Sequence, residues 1–94
     1  MKWTWDKDKD TSNRRKHGLS IATARFVFND PLALSRLDRH GGEERWQTVG
    51  KIDAVAVFVV HTWPEETDGE ETGRIISARK ATAGERRAYE EGEF

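Results

Sequence analysis

The sequence predicts an α+β fold, with helices near both ends and an antiparallel sheet between them. Three observations predict it. Ser20 and Thr82 are helix-capping residues, and Glu85 stands three positions after Thr82, which completes a capping box. Residues 54–60 are an unbroken apolar run, the pattern of a strand covered on both faces. Between residues 32 and 79 the apolar stretches are short and separated by turn-forming residues, as in consecutive antiparallel strands.

The elements follow in order. Residues 2–5 alternate and form an edge strand. Asp6 can cap a helix over 7–17, and Gly18 is a natural stop just beyond it. That helix has almost no apolar face, so it is expected to lie on the surface and pack weakly. Ser20 opens a second helix over 20–28, where Ile21, Ala24, Val27 and Phe28 recur at helical spacing. Asn29-Asp30-Pro31 ends it, because the residue before a proline is pushed out of the helical region. Strands are expected over 32–38, 45–49, 54–62 and 74–79. Arg39-His40-Gly41-Gly42 and 50–53 read as turns, and 64–72 as an acidic loop. In the last strand Ile75 is expected on one face, with Ile76 and Ala78 on the other. Thr82 then opens a C-terminal helix over 82–91. The expected architecture is a four- to five-stranded antiparallel sheet with two N-terminal helices and one C-terminal helix, in a single domain spanning 1–94.

Composition narrows the function. A chain of 94 residues has room for one modest core. Charged and hydrophobic residues are equal at 35% each, so buried positions must be few and concentrated. There is no cysteine, which excludes a disulfide framework and a Cys-based metal site and suits a reducing, cytoplasmic setting. The apolar run is too short to span a bilayer, and the N-terminus lacks a signal-peptide pattern. A net charge of −1 gives no overall attraction to nucleic acid. The distribution is more informative: basic residues gather at 14–16, 36–45 and 74–87, and acidic ones at 65–71 and from 90 onward, so a basic face with acidic edges is expected.

The last third of the chain carries the strongest chemical signal. Arg74, Ser77 and Arg79 are the polar members of the final strand, and Arg79 ends beside the helix that Thr82 caps. Guanidinium groups at a helix N-terminus suit a phosphate-bearing ligand. His17, His40 and His61 are scattered without metal-ligand spacing, so no metal or cofactor is expected.

These residues carry a family resemblance. Trp5-Asp6 is followed by Asn13 with Lys16-His17-Gly18 and Ser20, then by Phe28-Asn29-Asp30-Pro31, and then by Glu44-Arg45 with Gly50. Arg74-Ile75-Ile76-Ser77-Ala78-Arg79-Lys80-Ala81, with Glu85-Arg86 and Tyr89, completes the ordered set. The chain resembles the BrnT toxins, RelE-like ribonuclease toxins of type II toxin–antitoxin systems. The resemblance implies a small antiparallel sheet flanked by helices and metal-independent endoribonuclease activity. It also implies inhibition by a ribbon-helix-helix antitoxin of the BrnA type. Two toxins with two antitoxins are the expected assembly, with operator DNA reached only through the antitoxin, and no membrane. The segment 63–72 departs from the pattern in length and acidity.

A metal-independent ribonuclease needs a base for the 2′-hydroxyl proton, cations for the phosphorane and an acid for the leaving 5′-oxygen. Lys16, His17, Arg45 and Arg79 are the catalytic candidates; Arg74, Ser77, Lys80 and Tyr89 are the candidates for holding substrate. His17 is the natural proton carrier near neutrality. Each has a structural alternative. Lys16-His17 at a helix C-terminus can simply offset the helix dipole. Arg45 can be a solvated surface charge, and Arg74 and Arg79 can pair with the acidic loop or with Glu85. Thr82 and Glu85 are read as the structural cap, Tyr89 as either stacking a base or packing on the sheet, and His61 as structural. Trp3, Trp5, Trp46 and Trp63 are read as core or edge cover, and His40 as solvated.

Three functions compete at this level. One is an RNA-cleaving toxin whose groove an antitoxin occludes. Another is a non-catalytic module that holds RNA or an acidic partner on the same arginine face. The third is a co-repressor subunit that acts only in complex with a DNA-binding antitoxin.

Overall fold

The computed structural model describes residues 1–39, 42 and 44–94. The expected turn at Arg39-His40-Gly41-Gly42 and a solvated His40 fall largely outside the described residues. The chain runs β1 (Lys2–Thr4), α1 (Lys7–His17), α2 (Ile21–Ala24), a 3-10 turn (Arg25–Asn29), β2 (Leu34–Asp38), β3 (Arg45–Ile52), β4 (Val55–His61), β5 (Glu65–Thr67), β6 (Glu70–Lys80) and α3 (Ala83–Glu91). The fold is α+β, as the sequence predicts.

The local signals act where expected. Asp6 caps α1 by accepting from the amides of Asp8 and Lys9, and Ser20 caps α2 through Thr23. The reciprocal Thr82–Glu85 capping box opens α3. The second helix is shorter than expected and tightens into the 3-10 turn at Arg25. The run Arg25-Phe26-Val27-Phe28, with aromatic and β-branched side chains, is a poor α-helix former, and the tighter turn still buries Val27.

The sheet is ordered β1-β6-β4-β3-β2, with β5 paired to the outer part of β6. The pairs β2–β3, β3–β4 and β4–β6 are antiparallel, as expected. The edge strand β1 instead pairs with β6 in parallel, Lys2 opposite Thr72 and Thr4 opposite Arg74, so the sheet is mixed. The close approach is made at Gly73, where a Cβ would collide with the Trp3 ring. The acidic stretch is also not simply a loop. Glu65–Thr67 and Glu70–Thr72 form a hairpin around Asp68-Gly69, both with positive φ (52° and 80°), the geometry that Asp-Gly turns favour. The facing of β6 differs as well. Ile75 and Ala78 are both buried in the one core, because the β4–β6 register shifts between Val60 and His61 and a bulge absorbs the extra residue.

That core lies between one face of the sheet and α2. Ile21, Ala24 and Val27 pack on Val57, Val59, Ile75 and Ala78, with Trp3, Trp5, Leu19 and Phe28 closing the sides. Trp3 stacks on Phe28 with ring centroids 3.9 Å apart.

The first helix is exposed, as its sequence predicts, but it is not loosely held. Past the β1 pairing, β6 has a free edge. Asn13, buried in the middle of α1, fills it: its Nδ2 donates to Ala78 O at 2.7 Å and to Leu19 O at 2.8 Å, and its Oδ1 accepts from Ala78 N at 3.1 Å. One turn earlier, Asp10 accepts from the Ile21 amide at 2.7 Å and joins α1 to α2.

His61 ends β4 and is also buried. The Thr62 carbonyl, 2.7 Å from Nδ1, can only accept, so Nδ1 carries the proton. Nε2 then accepts from Thr48 Oγ1 at 2.6 Å, and Thr48 is bonded in turn to Ser35 at 2.7 Å. Trp3 and Phe28 present their rings edge-to-face to the imidazole. Burial lowers the histidine below its ordinary 6.5, and the Thr62 bond offsets this only in part.

Two outcomes follow for stability. Asn13→Ala leaves the buried amide and carbonyl of Ala78 without partners. The cost is about 2–4 kcal/mol, read as an earlier midpoint in urea. His61 takes up a proton less readily in the fold than in the unfolded chain, because burial lowers it below 6.5. Stability is therefore expected to fall as pH drops below 6.5, by at most about 1.4 kcal/mol per pH unit. His61→Gln, followed over the same range, should show a flatter slope.

Candidate active site and nucleic-acid interface

The sheet face opposite the core mixes cationic and polar side chains with apolar ones. Register and alternation set Arg36, Gln47, Val60 and Ser77 in one row across β2, β3, β4 and β6. Leu34, Val49, Phe58 and Arg79 form the next row. Arg36 donates to Gln47 Oε1 at 2.8 Å. After α3 the chain returns to this face, and Phe94 lies under the Arg36 guanidinium at 4.1 Å and edge-on to Phe58 at 6.4 Å. Arg79 in turn lies 4.2 Å over the Phe58 ring. Two guanidinium groups and two rings thus form a chain of contacts, Arg36–Phe94–Phe58–Arg79, in which each arginine lies over a ring and the two rings meet edge to face. Stacking fixes each guanidinium plane and leaves its edge for hydrogen bonding.

Arg79 holds a bidentate bond to Glu85, with Nη1 at 2.7 Å and Nη2 at 3.0 Å from its oxygens. Glu85 also accepts from the Thr82 amide at 2.9 Å, so the capping box and the ion pair share one carboxylate. Burial acts to raise Glu85, but Arg79 and the Thr82 amide outweigh it and hold the carboxyl below its ordinary value. Arg79 is thereby fixed beside the N-terminus of α3.

The remaining sequence candidates fall into separate places. Lys16 and His17, at the end of α1, line a shallow groove of about 200 Å³ with Asn13, Ile76 and Ser77. Ser77 and Arg79 share one face of β6, two residues apart, so this groove and the arginine face meet along that strand. Arg45 does not join them. It stands one position beyond Trp46, the partner of His61, whereas Arg79 is opposite Phe58. Two strands and four residues separate the two arginines, roughly 17 Å by strand spacing and rise. Arg45 instead approaches Asp38 at 3.6 Å. Arg74 lines another groove with Thr4, Thr62 and Trp63. Lys80 is opposite Val57 and so alternates to the other face from Arg79.

Tyr89 packs rather than presenting its ring freely. Its hydroxyl donates to Asp30 Oδ2 at 2.6 Å, and the same carboxylate accepts from the amides of Lys51 and Leu32. Burial would raise Asp30, but the Tyr89 hydroxyl and the two amides overcome it and keep the carboxyl below its ordinary range. The Asp30 bond, with burial, pushes Tyr89 up to about 12. Among the described residues no three His, Asp or Glu side chains converge as a metal site, and no helix is long and apolar enough to cross a membrane.

Sequence reasoning missed Arg36, Phe58 and Phe94. Arg36 lay within a basic cluster already noted, and its alternation with Leu34 and Leu37 was the available signal. Phe94 gave none, since only the tertiary fold brings it to the sheet.

The fold and this face define a small α+β domain with a guanidinium-lined sheet surface, the kind of surface that meets polyanions. Residues 5–85 match the family model of the ribonuclease toxin BrnT of type II toxin–antitoxin systems, and the chain belongs to that family. A comparison with curated proteins found no match. Membership makes the chain a ribonuclease toxin with an antitoxin partner.

Tyr89 is the single tyrosine, so its ionisation can be followed alone in the ultraviolet. The folded protein should show a midpoint near 12, against an ordinary 10, and Asp30→Asn should move it back toward 10. The shift is upward, so the stability it contributes is present below pH 10 and is lost as pH rises toward 12.

Proposed function

We propose that the chain cleaves RNA without a metal, at the strip where the α1 groove meets the arginine face. The ribose 2′-oxygen attacks the neighbouring phosphorus and the 5′-oxygen leaves, giving a 2′,3′-cyclic phosphate. Lys16 and His17 handle the two protons: one takes that of the 2′-hydroxyl and the other supplies the 5′-oxygen. Arg79, fixed by Glu85 and aided by the positive end of α3, stabilises the charge that develops on the phosphorane. Arg36, Arg45 and Arg74 hold more distant phosphates, with Ser77 beside the cleaved bond; Lys80, on the other face of β6, is left out of the site. The observation that carries this reading is the placement of Lys16 and His17 in one groove with Ser77, on the strand that bears Arg79. Family membership supports it independently.

In this reading cleavage arrests translation and growth in the cytoplasm. The partner is a ribbon-helix-helix antitoxin, in an assembly of two toxins and two antitoxins that reaches operator DNA through the antitoxin.

The test is RNA cleavage by purified variants, with circular dichroism as a check on folding. Arg79→Ala should lose about 10²–10³ in rate, and His17→Ala about 10²–10⁴. Arg45→Ala should instead weaken RNA binding, most visibly as salt rises. Parental cleavage should persist in EDTA. Folded Arg79→Ala and His17→Ala proteins that cleave at the parental rate would rule the site out.

A further inference from the structure

The core-side face of the sheet is not fully covered. α2 packs on β6 and the 3-10 turn on the Gly50 end of β3, while the other end of β3 and its neighbour β2 carry an open apolar patch. Trp63 is 51% exposed and Leu37 38% exposed. Leu37 is the cross-strand partner of Trp46, and the Trp46 and Trp63 rings are 4.6 Å apart. Trp46 Nε1 is buried with no acceptor among the described residues. Exposed aromatic and aliphatic side chains clustered in this way mark interaction surfaces.

The rim identifies the occupant. Glu44 and Glu65 line a groove with Trp63. The hairpin that follows carries Glu65, Glu66, Asp68, Glu70 and Glu71 and no basic residue. Glu66 lies directly opposite Glu71, a like-charge pair that costs stability. Among the described residues none of these hairpin glutamates makes an ion pair. An apolar patch with a mainly acidic rim, relieved where Arg74 shares a groove with Trp63 and Glu65, attracts a cationic, partly apolar peptide more than a phosphate backbone. Base stacking on Trp63 is therefore the disfavoured alternative.

We propose that this patch anchors the antitoxin, through a segment that sets apolar side chains on Leu37, Trp46 and Trp63 and Lys or Arg side chains on the acidic rim. The inference rests on the family's antitoxin partnership, but not on the cleavage mechanism. It places the anchoring contact on the opposite side of the sheet from the arginine face, so that the antitoxin is held without competing with RNA for the same side chains.

The experiment measures the affinity of the purified cognate antitoxin for each toxin variant by calorimetry, alongside RNA cleavage. Trp63→Ser with Leu37→Ser should weaken antitoxin binding at least tenfold, the loss expected of central anchors, and leave cleavage unchanged. Glu44→Lys with Glu65→Lys, both exposed changes that do not threaten folding, should weaken binding as well and reduce its dependence on salt. Affinities within twofold of the parent in both pairs would overturn the proposal. So would lost cleavage with unchanged antitoxin affinity, which would make the patch an RNA platform. If the parent cleaves no RNA, the proposed function fails while the affinity measurements still decide this patch.

Discussion

One buried carboxamide joins the two halves of this fold. Asn13 donates to and accepts from Ala78, as a neighbouring strand would, on the stretch of β6 that β1 leaves free. Its helix has no apolar face to bury, so polar contacts must do what packing does elsewhere. A backbone amide and carbonyl buried beside α1 could not go unpaired without penalty. The amide of Asn13 satisfies both and also reaches Leu19 O. Because the anchor is geometric rather than greasy, it fixes the rotation of α1 about its axis. That rotation sets Lys16 and His17, both still exposed, along the groove that Ile76 and Ser77 line.

The arginine face is organised by the same economy of contacts. Phe58 and Phe94 give Arg79 and Arg36 flat surfaces to lie on, and Glu85 secures Arg79 from the side. Glu85 is also the N3 partner of the α3 cap, so the helix start and the cation position are specified by one side chain. Such sharing holds the cation in place beside the helix N-terminus. It also means that the site and the fold cannot be varied independently there.

Much of this was legible in the sequence, and the legible parts are local. The caps at Asp6, Ser20 and Thr82 depend on residues a few positions apart, and their signals are unambiguous in chemistry. The apolar run at 54–60 could only be a covered strand. What escaped is what long-range pairing decides. Nothing in residues 2–5 says which strand they join or in which direction. The bulge that turns Ile75 and Ala78 to the same side puts an extra residue, Ile76, into β6, and only the register against β4 shows it. Asp68-Gly69 did announce a hairpin, but the acidity around it read as a loop. In the site, the sequence held open whether Arg79 would meet Glu85 and whether Tyr89 would pack, because both depend on the distance between elements. The separation of Arg45 from Arg79 follows from strand register and was invisible to composition.

The parallel pairing of β1 with β6 has a consequence for how the chain comes to exist in active form. Lys2 finds its partner only at Thr72, and Trp3 its resting place only against Gly73. Asn13 likewise waits for Ala78. Contacts of this span close late and slowly compared with local ones. During synthesis the N-terminal strand and α1 therefore emerge with nothing to dock on until nearly the whole of β6 has been made. A prematurely terminated chain lacks not just its last helix but the strand around which everything earlier is arranged. Lys16 and His17 then never meet Ser77, and the arginine face, which needs Arg79 and Phe94, is never assembled.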